Sequence, residues 1–199
     1  MSATAMTRVF SAVGRYVADH RPREAIANTV ALIIVSNQPF YPLYLAWAVS
    51  PVIAPALLTF LSTPFFAAVP AVMRRQSLAG RCLLLAAGIG NTLLCRGVFG
   101  DGAGVEAFLF PCLALAAPLF RREESGYAAL FAAASFGAYL LPLEGLWEPM
   151  HRYTPDEYAA FRRLNFLSAA SLTAVIGWLV ARRLVDNSAP DETAGENRA

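Results

Sequence analysis

The sequence predicts an all-α fold: a polytopic membrane protein with six transmembrane helices and both termini cytoplasmic. Three observations predict it. Of the 199 residues, 57% are hydrophobic, and the mean hydropathy is +0.47. Soluble domains hold roughly 45–50% apolar residues even when glycine is counted. The apolar residues also come in long runs that stop at arginines. Residues 103–120 carry one charge, Glu106, and end at Arg121-Arg122. A helix of that length rises ~27 Å, close to the ~30 Å hydrocarbon layer of a bilayer. Finally, the cations are unevenly spread. Every basic residue is arginine. Twelve arginines (8, 15, 21, 23, 74, 75, 81, 121, 122, 182, 183 and 198) fall on one side of the predicted spans. Arg96, Arg152, Arg162 and Arg163 fall on the other, and the positive-inside rule assigns the richer side to the cytoplasm.

In order along the chain, residues 1–24 read as a cytoplasmic amphipathic segment. Met6, Val9, Phe10, Val13, Tyr16 and Val17 recur at helical spacing, with Arg8 and Arg15 off that stripe. No small-x-small cleavage site closes an early apolar run, so a signal peptide is not expected. Residues 25–184 form the six-helix transmembrane domain. The first span, 25–47, is interrupted by Ser36-Asn37-Gln38-Pro39, where proline removes an amide donor and polar side chains re-satisfy the freed carbonyls. The second, 51–73, contains Pro55, Pro64 and Pro70 and is tied to the first by a tight turn. Arg74, Arg75 and Arg81 flank the next loop, and the third span follows at 82–98. The fourth is 103–120 and the fifth 126–143. Residues 144–163 read as the longest loop, and the sixth span is 165–181. Residues 185–199 read as a disordered cytoplasmic tail, polar and acidic. Trp47 and Trp147 are expected at the outer interface, where amphipathic rings are favoured.

Several chemistries find no support. A small net charge of +2, arising beside apolar runs, argues against nucleic acid. Cys82, Cys95 and Cys112 lie singly, in no zinc or disulfide spacing. His20 and His151 fall on opposite sides of the predicted membrane, so they do not share a haem. Gly97, Gly100, Gly102 and Gly104 form a turn with no Lys-Ser or Lys-Thr after it, and so not a phosphate loop. Glu148, His151, Asp156 and Glu157 read as a solvated loop. No metal, cofactor or catalytic residue is expected.

The polar residues inside spans are the candidates. Glu106, about one turn into the fourth span, reads either as a ligand or proton contact, or as a carboxylate that reaches the interface or pairs with Arg96. Asn91 and Asn165 read as intramembrane candidates whose simplest role is to bridge helices, for ~1 kcal/mol each. Ala133 and Gly137 in the fifth span, and Ala170, Ala174, Gly177 and Ala181 in the sixth, form small-residue faces. Such faces let helices pack closely, within one bundle or in a homodimer.

The order of these features resembles a known family. The residues are Asn37-Gln38-Pro39-Phe40, Gly90-Asn91, the run Gly104-Val105-Glu106-Ala107-Phe108-Leu109-Phe110-Pro111, Arg121 to Glu124, and Thr154-Pro155-Asp156-Glu157 ahead of Arg163-Leu164-Asn165. Over residues 22–185 the chain resembles the six-helix membrane domains that precede output domains in bacterial adenylate cyclases, diguanylate cyclases and sensor histidine kinases. The resemblance implies a sensor or anchor in the bacterial inner membrane, with the enzymology in a separate cytoplasmic domain. Sixteen residues follow Arg183, so a cyclase or kinase partner in trans is expected. A small transporter or permease, which the proline-broken spans suit, and an accessory subunit of a membrane complex are the alternatives.

Overall fold

The computed structural model describes residues 11–143 and 146–182, and every regular element among them is helical. Residues 11–17 are helical. Helix α1 (Pro22–Asn37) continues through a 3-10 turn (Gln38–Phe40) into α2 (Tyr41–Ala48). A 3-10 stretch (Ala54–Ser62) leads without a break into α3 (Thr63–Arg75). Then come α4 (Ser77–Phe99), the 3-10 turns Asp101–Ala103 and Val105–Phe108, α5 (Leu109–Ala116), α6 (Ser125–Leu140) and α7 (Pro155–Val180). Three helical runs are long and apolar enough to cross a membrane: Ala54–Arg75, Ser77–Phe99 and Pro155–Val180. Val105–Ala116 is a shorter apolar helix.

The break in the first helix falls at the expected residues. Pro39 has no amide hydrogen to give, and the chain tightens to 3-10 geometry there. Gln38 stabilises the break by reaching across to α3 and its leading turn. Its Nε2 donates to Thr59 O at 3.1 Å and to Ser62 Oγ at 2.7 Å, and its Oε1 accepts from Thr63 Oγ1 at 2.7 Å.

Several expectations are corrected. The fourth span, drawn over 103–120, is helical only over Val105–Ala116. Gly104 stands before it with a left-handed φ of +70°, which ends the preceding turn. The loop drawn over 144–163 stops at Thr154. Pro155 occupies the first helical position, Glu157 N donates to Thr154 Oγ1 at 3.3 Å, and Thr154 N donates to Glu157 Oε2 at 2.8 Å. That is a capping box, so α7 begins ten residues before the predicted span. Arg81 does not flank a loop: Gln76 alone separates α3 from α4, and Arg81 is inside α4 with 1% exposure. The far half of the N-terminal segment and the tail after Arg182 lie outside the described residues.

The chain is apolar on the outside and carries polar groups within. Leu43, Trp47, Leu57, Phe65, Phe110, Leu130, Phe136, Leu140 and Phe166 are exposed, Trp47 to 90%. Glu24, Asn28, Gln38, Arg81, Arg96, Ser135 and Asn165 are buried. A water-soluble domain buries its large apolar side chains first. The many large apolar side chains left on the outside, with polar groups among the buried ones, fit a helical bundle surrounded by lipid. Two apolar clusters hold the interior. One joins Ile26, Val30, Phe66, Met73, Leu84, Leu115 and Ile176. The other is aromatic, with Phe99 and Phe161 ring centres 5.0 Å apart and Tyr153 and Phe161 5.3 Å apart.

The α3–α4 pair shows how tightly two helices approach. A Cβ on Gly80 would lie 2.7 Å from Met73 Cα, whereas one on Gly90 would meet nothing within 4 Å. Gly80→Ala therefore forces the helices apart, and we expect a loss of about 1–3 kcal/mol. Gly90→Ala gains helix propensity without a clash and leaves stability unchanged or raised by up to about 1 kcal/mol. Thermal unfolding of the two variants in mild detergent measures the contrast.

Candidate functional site

The site begins at the broken first helix. Where α1 gives way to α2, the bundle leaves a cavity of about 730 Å³ between α1–α2, α4, α5 and α7. The volume lies within the range of ligand sites, about 300–1,000 Å³. Most of the lining is apolar: Val30, Ile34, Phe66, Leu84, Leu85, Leu115 and Ile176 among others. Asn37, Gln38, Tyr41, Asn91, Thr92, Ser168 and Ser171 add polar groups.

Some of these polar groups are already engaged. Gln38 is satisfied by α3 and the turn before it, as above. Tyr41 Oη donates to Asn165 Oδ1 at 3.0 Å, and Asn165 Nδ2 donates to Ala103 O at 2.9 Å. Thr92 Oγ1 returns to Gly88 O one turn back at 2.9 Å. Others are open. Among the described residues, the side chains of Asn37, Ser168 and Ser171 have no hydrogen bond, and Asn91 only accepts a weak contact from Cys95 Sγ at 3.8 Å. These four converge on the cavity from three helices.

The predicted residues separate accordingly. Asn91 lines the cavity. Asn165 does not; it is fully buried and bridges α2, α7 and the turn before α5. Glu106 also stays out of the cavity, although its neighbours Val105 and Phe108 line it. Its Oε2 is buried without a partner. The expected pairing with Arg96 is corrected: Arg96 meets Asp101 at 2.8 Å. The small residues are corrected as well. Ala133, Gly137, Ala170, Ala174, Gly177 and Ala181 are exposed, and a Cβ on Gly137 or Gly177 would meet nothing within 4 Å. Among the described residues they form no close helix-packing face. Ser168 and Ser171 escaped the sequence reading, although two serines three apart on one face of an apolar helix were a legible signal.

Two arginines missed as structural residues sit at the two ends of α4. Arg81 Nη1 donates to Glu124 Oε2 at 2.6 Å and Nη2 to Glu124 Oε1 at 2.9 Å, just before α6. Arg81 Nη1 also donates to Leu119 O at 2.6 Å. Arg96, in the last turn of α4, donates to Ala138 O, Tyr139 O and Leu141 O at the far end of α6. Near Arg96 a second hollow, of about 540 Å³, is lined by Asp101, Trp147, Glu148, Arg152, Tyr153 and Tyr158. Its charges are already paired, Arg96 with Asp101 and Arg152 with Glu148, each at 2.8 Å. Burial pushes the Tyr153 phenol up to about 12. Among the described residues no group of three or more His, Cys, Asp or Glu is placed to hold a metal. Compared with known proteins, the chain matches no family model, no curated protein and no solved structure.

Two predictions follow from this geometry. The Arg81 guanidinium holds the Glu124 carboxyl down at about 2, against an ordinary value of 4.5, while partial burial opposes the shift. A carboxylate lowered on folding contributes stability that is complete above its unfolded value. The contribution should fade as pH falls from about 4.5 towards about 2. Glu124→Gln should flatten acid unfolding across that window, and Glu124→Ala, which leaves Arg81 buried without its carboxylate, should cost about 3–5 kcal/mol. Both are read by unfolding at graded pH. Separately, Asn165→Leu removes the bridge between α2 and the turn before α5 and should lower stability by about 1–3 kcal/mol in thermal unfolding.

Proposed function

We propose that this chain is a six-pass protein of the bacterial inner membrane, with both termini cytoplasmic, and that its bundle is a ligand-sensing domain. It carries no catalysis of its own and acts on a partner in trans. The observation that carries this reading is the cavity with its four open polar side chains, Asn37, Asn91, Ser168 and Ser171. Asn91 and Ser168 are half-buried and Asn37 and Ser171 are exposed, and a few polar side chains grouped on an otherwise apolar pocket are the usual make-up of a ligand site.

The topology has two supports. The helical segments number six among the described residues, α1–α2, α3, α4, α5, α6 and α7, joined by five connections. Of the twelve arginines of the richer side, the described ones (15, 21, 23, 74, 75, 81, 121, 122 and 182) lie toward the ends of these segments where α1 begins and α7 finishes. A signal would leave through α7, which lines the chamber with Ser168, Ser171 and Leu172. Its outer face of Ala170, Ala174, Gly177 and Ala181 is open to a neighbouring helix. Small side chains there let a partner approach closely, and occupancy of the chamber would bias which arrangement is populated.

A permease is the second reading, favoured by one observation. The first helix is discontinuous where it borders the cavity, an arrangement that membrane transporters use at their substrate sites. Ligand uptake into proteoliposomes separates the two: a permease accumulates or exchanges it, and a sensing domain binds it without net flux.

The main reading is tested in two arms. Periplasm-active reporter fusions should be silent after Arg75 and Arg122 and active after Trp47 and Glu148; activity after Arg122 contradicts the six-pass arrangement. Protein stripped of lipid should unfold at lower temperature, and returning the organic extract of its own membranes should restore the midpoint. In Asn91→Leu that restoration should shrink. An extract with no effect on the parent would count against a ligand chamber.

A further inference from the structure

We infer that the chamber takes an uncharged single-chain amphiphile that enters sideways from the bilayer. Its hydroxyl or carbonyl head sits at Asn37, Asn91, Ser168 and Ser171, and its chain points toward the Arg81 end of the bundle. The inference rests on reading the cavity as a ligand chamber and names the chemical class of the ligand.

The absence of charge in the head follows from the lining. No arginine, aspartate, glutamate or histidine lines the cavity. A charged head would be buried there without a counter-ion, at a cost well above that of a neutral polar group. The polar side chains present can both donate and accept, and that suits a hydroxyl or a carbonyl.

The open hydroxyls are themselves selective. Away from the cavity, Thr29, Ser135 and Thr173 return their hydroxyls to the carbonyl one turn back, at 2.7–2.9 Å, as do Ser36 and Thr92 on its wall. That is the ordinary refuge of a hydroxyl in an apolar bundle. Ser168 and Ser171 make no such bond and border the cavity instead.

Direction follows from the order of residues on each helix. On α1 the polar Asn37 is followed, toward the Arg81 end, by Ile34 and Val30. On α4 Asn91 is followed in the same direction by Leu85 and Leu84. On α7, Ser168 and Ser171 are followed by Leu172 and Ile176. Three helices thus show the same change from polar to apolar, which is the profile of a head and a tail. Phe66, from α3, and Leu115, from α5, close the apolar end.

Entry is lateral. Phe40, Tyr44 and Leu167 line the cavity and are 50%, 40% and 57% exposed. The gap therefore opens between α2 and α7 on the side of the bundle that the apolar surface assigns to lipid. Ser36, Asn37 and Ser171 are exposed beside these apolar side chains, so the opening offers polar and apolar contacts together, as an amphiphile requires.

The test uses the full chain in nanodiscs with a hexadecanol that carries a photoactivated diazirine near its tail end. Labelling should concentrate on the cavity faces of α4 and α7, around residues 84–91 and 164–176. Plain hexadecanol should compete it away, and hexadecanesulfonate, which stays ionised, should not. Asn91→Leu and Ser168→Leu should each reduce labelling about three- to ten-fold, the effect of a lost hydrogen bond. Phe136→Ala, on the outward face of α6, should leave it unchanged. The competition arm uses the parent protein, so a variant that fails to fold does not decide the matter. Equal competition by the sulfonate would overturn the uncharged head and leave the chamber standing. Labelling spread over the exposed face of α6, with no competition, would overturn the amphiphile and the chamber together.

Discussion

The two arginines of α4 govern how this bundle is assembled. Arg81 and Arg96 lie near opposite ends of one helix, and between them they hold both ends of α6. At one end the contact is a two-pronged ion pair with Glu124, reinforced by the face of Phe120 at 5.6 Å. At the other, Arg96 meets the terminal carbonyls of α6, where the helix dipole is negative and a cation is favoured. Helix α6 buries only Ser135 and Ala138 by itself, and apolar burial gives little association between helices in lipid. Its place therefore depends on these polar grips. A guanidinium in an apolar setting is tolerable only because nearly every donor is used.

The chamber has a related origin. The two apolar clusters fill the interior on either side of it, and polar side chains on its wall keep large apolar residues from closing the space between them. The break at Gln38–Phe40 adds to this, because a helix that changes pitch stops packing along a straight line. Gln38 keeps the break in place through three bonds to Thr59, Ser62 and Thr63. The tyrosine–asparagine bridge of Tyr41 and Asn165 fixes α7 to α2 on the other side of the space. Polar residues that look alike in sequence thus divide into two groups: those that hold the walls and those that face the space between them.

This division bears on function. A sensing domain needs a rigid frame and an element that responds. In the proposed sensing role, the paired ends of α4 and α6 would supply the frame. Helix α7 is held by Asn165 in its first half, borders the cavity in its middle, and beyond Ala170 exposes Ala174 and Gly177 beside Trp178. It connects the space inside the bundle with a surface open to another helix.

By itself the sequence determined the helical class, the run of apolar segments and the location of the first break, because these depend on composition, period and proline, which are local properties. The start of α7 was equally local: Thr154-Pro155-Asp156-Glu157 carries a full capping signal, outweighed in the sequence reading by the charge of its surroundings. Partner choice was decided only by the tertiary structure. Arg96 had Asp101 and Glu106 within one short stretch, and the left-handed turn at Gly104 left the nearer acid on its side and turned the other away. Asn91 and Asn165 have the same side chain in similar apolar surroundings, yet one borders the cavity and the other is consumed by a bridge. The small residues of α6 and α7 have the spacing of a packing face, but which way a helix face turns is set by its neighbours. Here Arg81 and Arg96 set it for α6, through contacts 38 to 45 residues apart in the chain, a distance over which no local pattern carries information.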